Sequence, residues 1–393
     1  MPNTAQEKHP EETSTSLKRK VLSISVVGLV TAVSVLIALG LAEAGFRLIE
    51  GISLTDGSNW RIAGVRTKRI GERAELDDRL GWTLKSDFRS DEFNTIGLGI
   101  RRNFDEQAVR KGSILAVGDS FTEGFDEVDD KGTWPSHLEK MLGVPVVNAG
   151  VAGYAADQIF LRVEQLIPLI EPKTLIVGLT EVDIYRSALS DAGAPKPYYM
   201  IEKGELVYYP PGPVELKTTE TMTGAALRSV LSYSALSDHL FSRLAPAFWY
   251  PHMAANYKEV ENQPLQIICR LLDKTKRLTE EKNIRMILFM QYAGELVLEE
   301  TSVIPDMQTL TDCAQKLGIQ VVDQFKSLRE LTHGDMDLVA QYYAVQGEEY
   351  GHMVTKGNQH AAQLLADALS KPPEVPSTAP ANAALEAEKP VQN

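Results

Sequence analysis

Five short runs of nearly uninterrupted apolar residues constrain this chain more than any other feature. They are 113–117 (SILAV), 144–148 (VPVVN), 174–179 (TLIVGL), 284–290 (IRMILFM) and 319–323 (IQVVD). None alternates apolar with polar, so none reads as a strand with one wet face. Strands that are apolar on both sides are buried on both sides, which implies a parallel sheet covered by helices. The covering helices can be read between them. The segment 134–142 has Thr133 as N-cap and Pro135 in its first turn. The segment 156–170 places Ile159, Val163, Leu166, Ile167 and Ile170 at helical spacing. Further helices are expected over 265–282, 307–317 (stopped by Gly318) and 357–369. The alternation predicts an α/β fold: a three-layer α/β/α domain around about five parallel strands. Sites in such sheets lie outside the carboxyl ends of the strands.

A second constraint precedes the sheet. Residues 21–42 (VLSISVVGLVTAVSVLIALGLA) carry no charge over 22 residues. As a helix they would extend roughly 33 Å, enough to cross a bilayer core. Lys18, Arg19 and Lys20 precede the run, with Lys8 further back, and Arg47 is the only base between Glu43 and Trp60. The positive-inside rule puts residues 1–20 in the cytoplasm and the remainder outside. A buried core helix would show a polar face, and this run has only scattered Ser and Thr. Ala42-Glu43-Ala44 fits a signal-peptidase site, but the run exceeds the usual signal length. We expect an uncleaved transmembrane signal anchor, with cleavage as the open alternative. Both export the main domain.

The remaining chain divides into a connector (43–110) packing on the domain, a domain over 111–370, and a tail (371–393). The tail's Pro, Ala and Glu composition predicts disorder. An insertion, 187–260, interrupts the domain. It reads as a hairpin (198–202 with 205–209), a Pro-rich break and one amphipathic helix over 225–244. It either packs on the domain edge or serves as a substrate lid or membrane-facing patch. Forty Lys and Arg against fifty-three Asp and Glu give a net charge of −13, which opposes nucleic-acid binding. Cys269 and Cys313 can form neither a disulfide framework nor a four-cysteine zinc site. A single bridge stays open, but we expect buried free thiols. The seven histidines fit no zinc pattern and no phosphate-binding loop is present, so neither metal nor cofactor is expected.

Three segments carry the chemistry. Gly118-Asp119-Ser120-Phe121-Thr122-Glu123-Gly124 follows the first strand, where a strand-to-helix turn exposes a hydroxyl beside free helix amides. Asn148-Ala149-Gly150-Val151-Ala152-Gly153 follows the second strand, and its glycines let backbone amides approach a ligand. Glu349-Tyr350-Gly351-His352 precedes the last helix and puts a carboxylate three residues before an imidazole.

Together these segments resemble the blocks of the GDSL/SGNH hydrolase superfamily, in particular its membrane-anchored bacterial members. The resemblance covers about residues 40–370. It implies an SGNH-hydrolase-like, flavodoxin-like sheet with Ser120 as nucleophile and His352 as general base, then acid. It also implies backbone amides of Ser120 and Gly153 in the oxyanion hole, and Glu349 fixing the imidazole tautomer. Two positions depart from the pattern. Val182, before Asp183, stands where the third block has an Asn that donates to the oxyanion, and Glu349 stands where the family has Asp. Losing one such donor typically costs on the order of 10²–10³ in rate. The resulting expectation is a serine esterase in the inner (cytoplasmic) membrane, single-pass, with its catalytic domain on the periplasmic or extracellular side. Its substrate would be an O-acyl or O-acetyl ester of a glycan or lipid. An O-acyltransferase using the same serine and a non-catalytic SGNH-like binding protein are the alternatives.

Overall fold

All five apolar runs enter one sheet in the computed structural model, which describes residues 11–60, 71–106, 108–125, 127–213, 222–250, 257–344 and 351–371. The chain separates into two units, residues 1–66 with 216–253 and residues 67–215 with 254–393. The expected connector and insertion are therefore each divided between the two units.

The second unit holds the sheet. Its strands are β1 (Thr95–Ile96), β2 (Ile100–Arg101), β3 (Ile114–Val117), β4 (Val146–Asn148), β5 (Thr174–Leu179), β6 (Arg285–Met290) and β7 (Gln320–Asp323). They lie in the order β7-β6-β5-β3-β4-β2-β1. From β7 to β4 every pairing is parallel, with Leu115 opposite both Val147 and Leu175. Counting the parallel strands alone gives the doubly wound order 2-1-3-4-5, as the flavodoxin-like expectation requires. β2 and β1 add an antiparallel edge. They come from the connector. The connector also forms a hairpin of Ala74–Asp77 with Gly81–Leu84.

Strand order and right-handed crossovers decide which helix covers which face. Trp134–Leu142 carries the chain from β3 toward one edge, and Thr355–Ser370 packs beside it. Ala156–Ile170, Pro264–Glu281 and Pro305–Lys316 all run toward the other edge and cover the opposite face. β3 is buried at every residue, as a doubly covered strand must be. Arg162, itself buried, fastens the connector to the sheet. Its guanidinium donates to the Ala149, Leu98 and Gly99 carbonyls and to the Thr83 hydroxyl.

The free-thiol expectation is corrected. Cys269 and Cys313 are joined in a disulfide, their Cα atoms 5.9 Å apart. They sit on Pro264–Glu281 and Pro305–Lys316, which pack side by side on one face of the sheet. Their 44-residue separation hid this adjacency.

A buried ion pair fixes the entry to Ala156–Ile170. Lys196 Nζ donates to Asp157 Oδ2 at 2.8 Å and to the Leu189 and Pro197 carbonyls, and both side chains are fully buried. Burial pushes the Asp157 carboxyl up to about 6 although the Lys196 ammonium pulls it down, and burial pushes Lys196 down. The folded chain thus keeps the Asp157 proton to higher pH than the unfolded chain. This carboxyl's contribution to stability falls as pH rises from about 4 to about 6 and is flat above that. Lys196→Met would leave the carboxyl without its cation and is expected to cost about 3–5 kcal/mol near pH 8. At pH 5 the loss should be smaller, because Asp157 can then keep its proton. Denaturant midpoints of the two proteins at both pH values check this. An equal loss at both would sink the electrostatic account.

The first unit is built on one long helix, Glu11–Ile49. Its stretch Val26–Ile49 has a mean hydropathy of 2.2, is unburied over its most apolar part, and is long and apolar enough to cross a membrane. The expected single helix over 225–244 is instead two, Met222–Leu231 and Ala235–Leu244, followed by the turn Pro246–Trp249. Ser234 breaks them apart, because its hydroxyl caps the second helix by accepting from the Ser237 amide. The Glu43 carboxylate reinforces this cap, accepting from Ser234 Oγ and from the amides of Ala235 and Leu236. Arg47 pairs with Glu43 and donates to the Ser53, Asp56 and Tyr233 carbonyls. A small core of Trp249 and Tyr250 closes against Leu231, Phe241 and Phe248.

Candidate active site

The order of the parallel strands reverses between β3 and β5, and the nucleophile candidate follows β3 directly. Gly118 ends the strand where only glycine fits: a Cβ there would lie 2.1 Å from Thr122 Oγ1. Asp119 then caps the single turn Ser120–Glu123 by accepting the Phe121 amide at 2.9 Å. Gly124 closes the turn with φ of 91°. The second glycine segment packs directly on this turn, since a Cβ on Gly150 would lie 2.2 Å from the Glu123 nitrogen. Ser120 and Gly153 are thereby brought to the same cleft, of about 680 Å³, with His352 on its wall. Among the described residues, neither the Ser120 nor the Gly153 amide is donated to a protein acceptor.

His352 arrives from the other end of the chain. Ser120 Oγ lies 2.9 Å from His352 Nε2 across 232 residues. Gly351, with φ of 82°, admits the close approach of Gly294, whose amide it accepts through its carbonyl at 2.9 Å. The imidazole is held between two rings, Phe121 at 5.0 Å and Phe125 stacked at 4.9 Å. Its other nitrogen, Nδ1, lies 3.2 Å from Glu127 Oε1. A proton on Nδ1 aimed at that carboxylate leaves Nε2 as the acceptor for the serine hydroxyl.

Glu127 was not among the residues singled out from the sequence. Glu349, expected in that role, lies outside the described residues. The signal for Glu127 was its position seven residues after the serine, in an acidic loop with no pattern of its own. Arg101 holds that loop. Its buried guanidinium donates to the Glu123, Phe125, Val128 and Glu92 carbonyls and pairs with Asp130. Burial pushes the Arg101 guanidinium down, and the Glu123 and Asp130 carboxylates oppose that.

The third segment follows β5. Val182 does not line the cleft, and Thr180 is the residue that directly leaves the strand. The Thr180 hydroxyl donates to Asp119 Oδ2 at 3.2 Å and its amide to Asp183 Oδ2 at 2.8 Å. Asp183 therefore caps the turn Glu181–Arg186 and faces inward. Burial pushes the Asp119 carboxyl up. Asp183 is pushed well up by burial and by the neighbouring Asp119. Arg186 stands 3.7 Å from Asp119 and 3.6 Å from Asp183, opposes both shifts, and lines the cleft beside Ser120. It is a positive group in the cleft four residues after Val182, where the Asn donor was expected, and the sequence reading missed it. The cleft walls are aromatic, with Trp82, Phe88, Phe93 and Phe125, and Arg73 lies over the last two rings. Among the described residues no group of His, Cys, Asp and Glu could hold a metal ion.

Solved structures of G-D-S-L family lipolytic proteins are similar to this chain. One, from Desulfitobacterium hafniense, is 14% identical, with a TM-score of 0.36 over 65% of this chain and 99% of its own. Another, from Veillonella parvula, is 13% identical, with a TM-score of 0.37 over 66% and 98%. The acetylxylan esterase Axe2 of Geobacillus stearothermophilus is 12% identical, with a TM-score of 0.38 over 67% and 97%. No family model and no curated protein matches the sequence.

Proposed function

We propose that this chain is a membrane-anchored serine esterase of the GDSL/SGNH type, acting on an O-acyl or O-acetyl ester of a glycan or lipid. The observation that carries this reading is the line Ser120–His352–Glu127 at the mouth of a cleft that also presents the Gly153 amide. His352 takes the Ser120 proton through Nε2 as the oxygen attacks the ester carbonyl. Glu127 holds the imidazole by Nδ1 and stabilises its charged form. The Ser120 and Gly153 amides receive the developing oxyanion, and Arg186 adds positive charge beside it. His352 returns the proton to the leaving alcohol, then activates water to release the acyl group. The aromatic walls suit the apolar face of a sugar ring or an acyl chain.

Two observations support placing this domain outside the cytoplasm, and a third bears on whether the anchor is retained. Lys18, Arg19 and Lys20 precede the apolar helix, on the side that stays in. The Cys269–Cys313 disulfide belongs to an oxidising compartment. Cleavage after Ala44 would remove Glu43, whose carboxylate caps Ala235–Leu244. That favours an anchor that stays attached.

A fluorophosphonate serine probe tests the chemistry. Wild-type protein should be labelled covalently, and Ser120→Ala should not be. Labelling that persists in Ser120→Ala, or its absence from folded wild-type protein, would overturn the proposal.

A further inference from the structure

We propose that Met222–Leu231 and Ala235–Leu244 lie on the surface of the same bilayer that holds the anchor, with their exposed apolar side chains among the lipid headgroups. The inference rests on the anchoring reading above and adds a second membrane contact to it. Its first support is attachment. Glu43 and Arg47, at the outer end of the apolar helix, bind Ser234, Ala235, Leu236 and the Tyr233 carbonyl directly. The two short helices are therefore fixed at the level where a membrane-spanning helix leaves the hydrocarbon.

The second support is composition. Residues 222–250 contain only three charged side chains, Arg228, Asp238 and Arg243. Two of these are turned inward. Asp238 accepts from the Trp249 indole, and Arg228 donates to the Phe248 carbonyl and lies over its ring. Arg243 and Ser229 are exposed, and the large side chains beside them that face outward are apolar. Leu227 and Val230 are 53% and 74% exposed and three residues apart on one helix. Leu240 and Leu244 are 43% and 80% exposed and four apart on the other. Side chains at those spacings share a helix face. Exposed Tyr233 sits between the helices, and Leu48 and Ile49 continue the apolar surface to the end of the anchor. An apolar face continuous with a membrane-spanning helix, with aromatics at its edge, is what a helix lying in a membrane surface presents.

Spin labels test this on the full chain. Its two native cysteines are paired with each other, so an introduced cysteine is the one free thiol. Val230→Cys and Leu244→Cys are labelled and compared with Val33→Cys, inside the apolar helix, and with Leu331→Cys, 47% exposed in the sheet-bearing unit. Each protein is reconstituted into phosphatidylethanolamine–phosphatidylglycerol vesicles. The readout is the ratio of collisions with oxygen, which partitions into lipid, to collisions with a water-soluble nickel chelate. Positions 230 and 244 should give ratios several-fold above 331 and below 33. Ratios equal to that of 331, with 33 immersed, would overturn this inference and leave the anchor standing. Shielding of 230 and 244 from both reagents would mean protein covers them, and would also overturn it. A wet position 33 would overturn the anchor reading itself, and this one with it.

Discussion

Ser120→Ala should lower kcat on a chromogenic acetyl ester by about 10⁶, and His352→Ala by nearly as much. The two losses should not add. Ser120 Oγ and His352 Nε2 are 2.9 Å apart and, on the proposed mechanism, act as one proton-transfer unit, so removing either should disable both. The double variant should therefore match the single ones. Residual activity above the uncatalysed rate would come from the Ser120 and Gly153 amides and the cleft walls. Steady-state kinetics of the three variants settle it. A Ser120→Ala enzyme within tenfold of wild type would mean that the hydrolysis happens elsewhere, and a multiplicative double loss would mean that the two residues act separately.

Glu127→Gln should lower kcat by about 10⁴ and leave KM nearly unchanged. The amide keeps the size of the side chain, but its NH₂ can turn toward Nδ1 and favour the tautomer with the proton on Nε2. The imidazole is then a donor toward Ser120 and cannot serve as its base. Glu349→Gln is the matched comparison. With Glu127 at 3.2 Å from Nδ1, the Glu349 variant should stay within a few-fold of wild type. The reverse pattern would restore the acid that precedes the histidine by three residues, as the family resemblance implies, and make Glu127 a bystander.

What could be read from the sequence was what repeats locally. Each of the five apolar runs became a parallel strand, and the helices between them start and stop within a few residues of expectation, because doubly covered strands and amphipathic helices carry their burial in their own composition. Thr95–Ile96 and Ile100–Arg101 did not show, since two residues have no period. The break at Ser232–Ser234 did not show either, because it leaves the apolar spacing of its flanks intact. The pairing of Cys269 with Cys313 depends on two helices meeting on one face. The assignment of 216–253 to the anchor's unit depends on Glu43 reaching a helix about 190 residues later. In the site, Ser120, Gly153 and His352 stood in recognisable blocks and converge on one cleft. Glu127 and Arg186 had no pattern to announce them. Their relevance exists only after Arg101 has drawn the 123–130 loop inward and β5 has set its following turn beside Ser120.

The separation of Ser120 from His352 by 232 residues bears on how such a protein is made. On the proposed topology, a chain threaded outward from its anchor releases the serine 232 residues before the histidine, which stands just ahead of Thr355–Ser370. Until that helix packs beside Trp134–Leu142, the hydroxyl lacks the base that the proposed mechanism requires. On the proposed mechanism, the arrival of His352 is the event that arms Ser120, and a product truncated anywhere before His352 should be inactive toward esters.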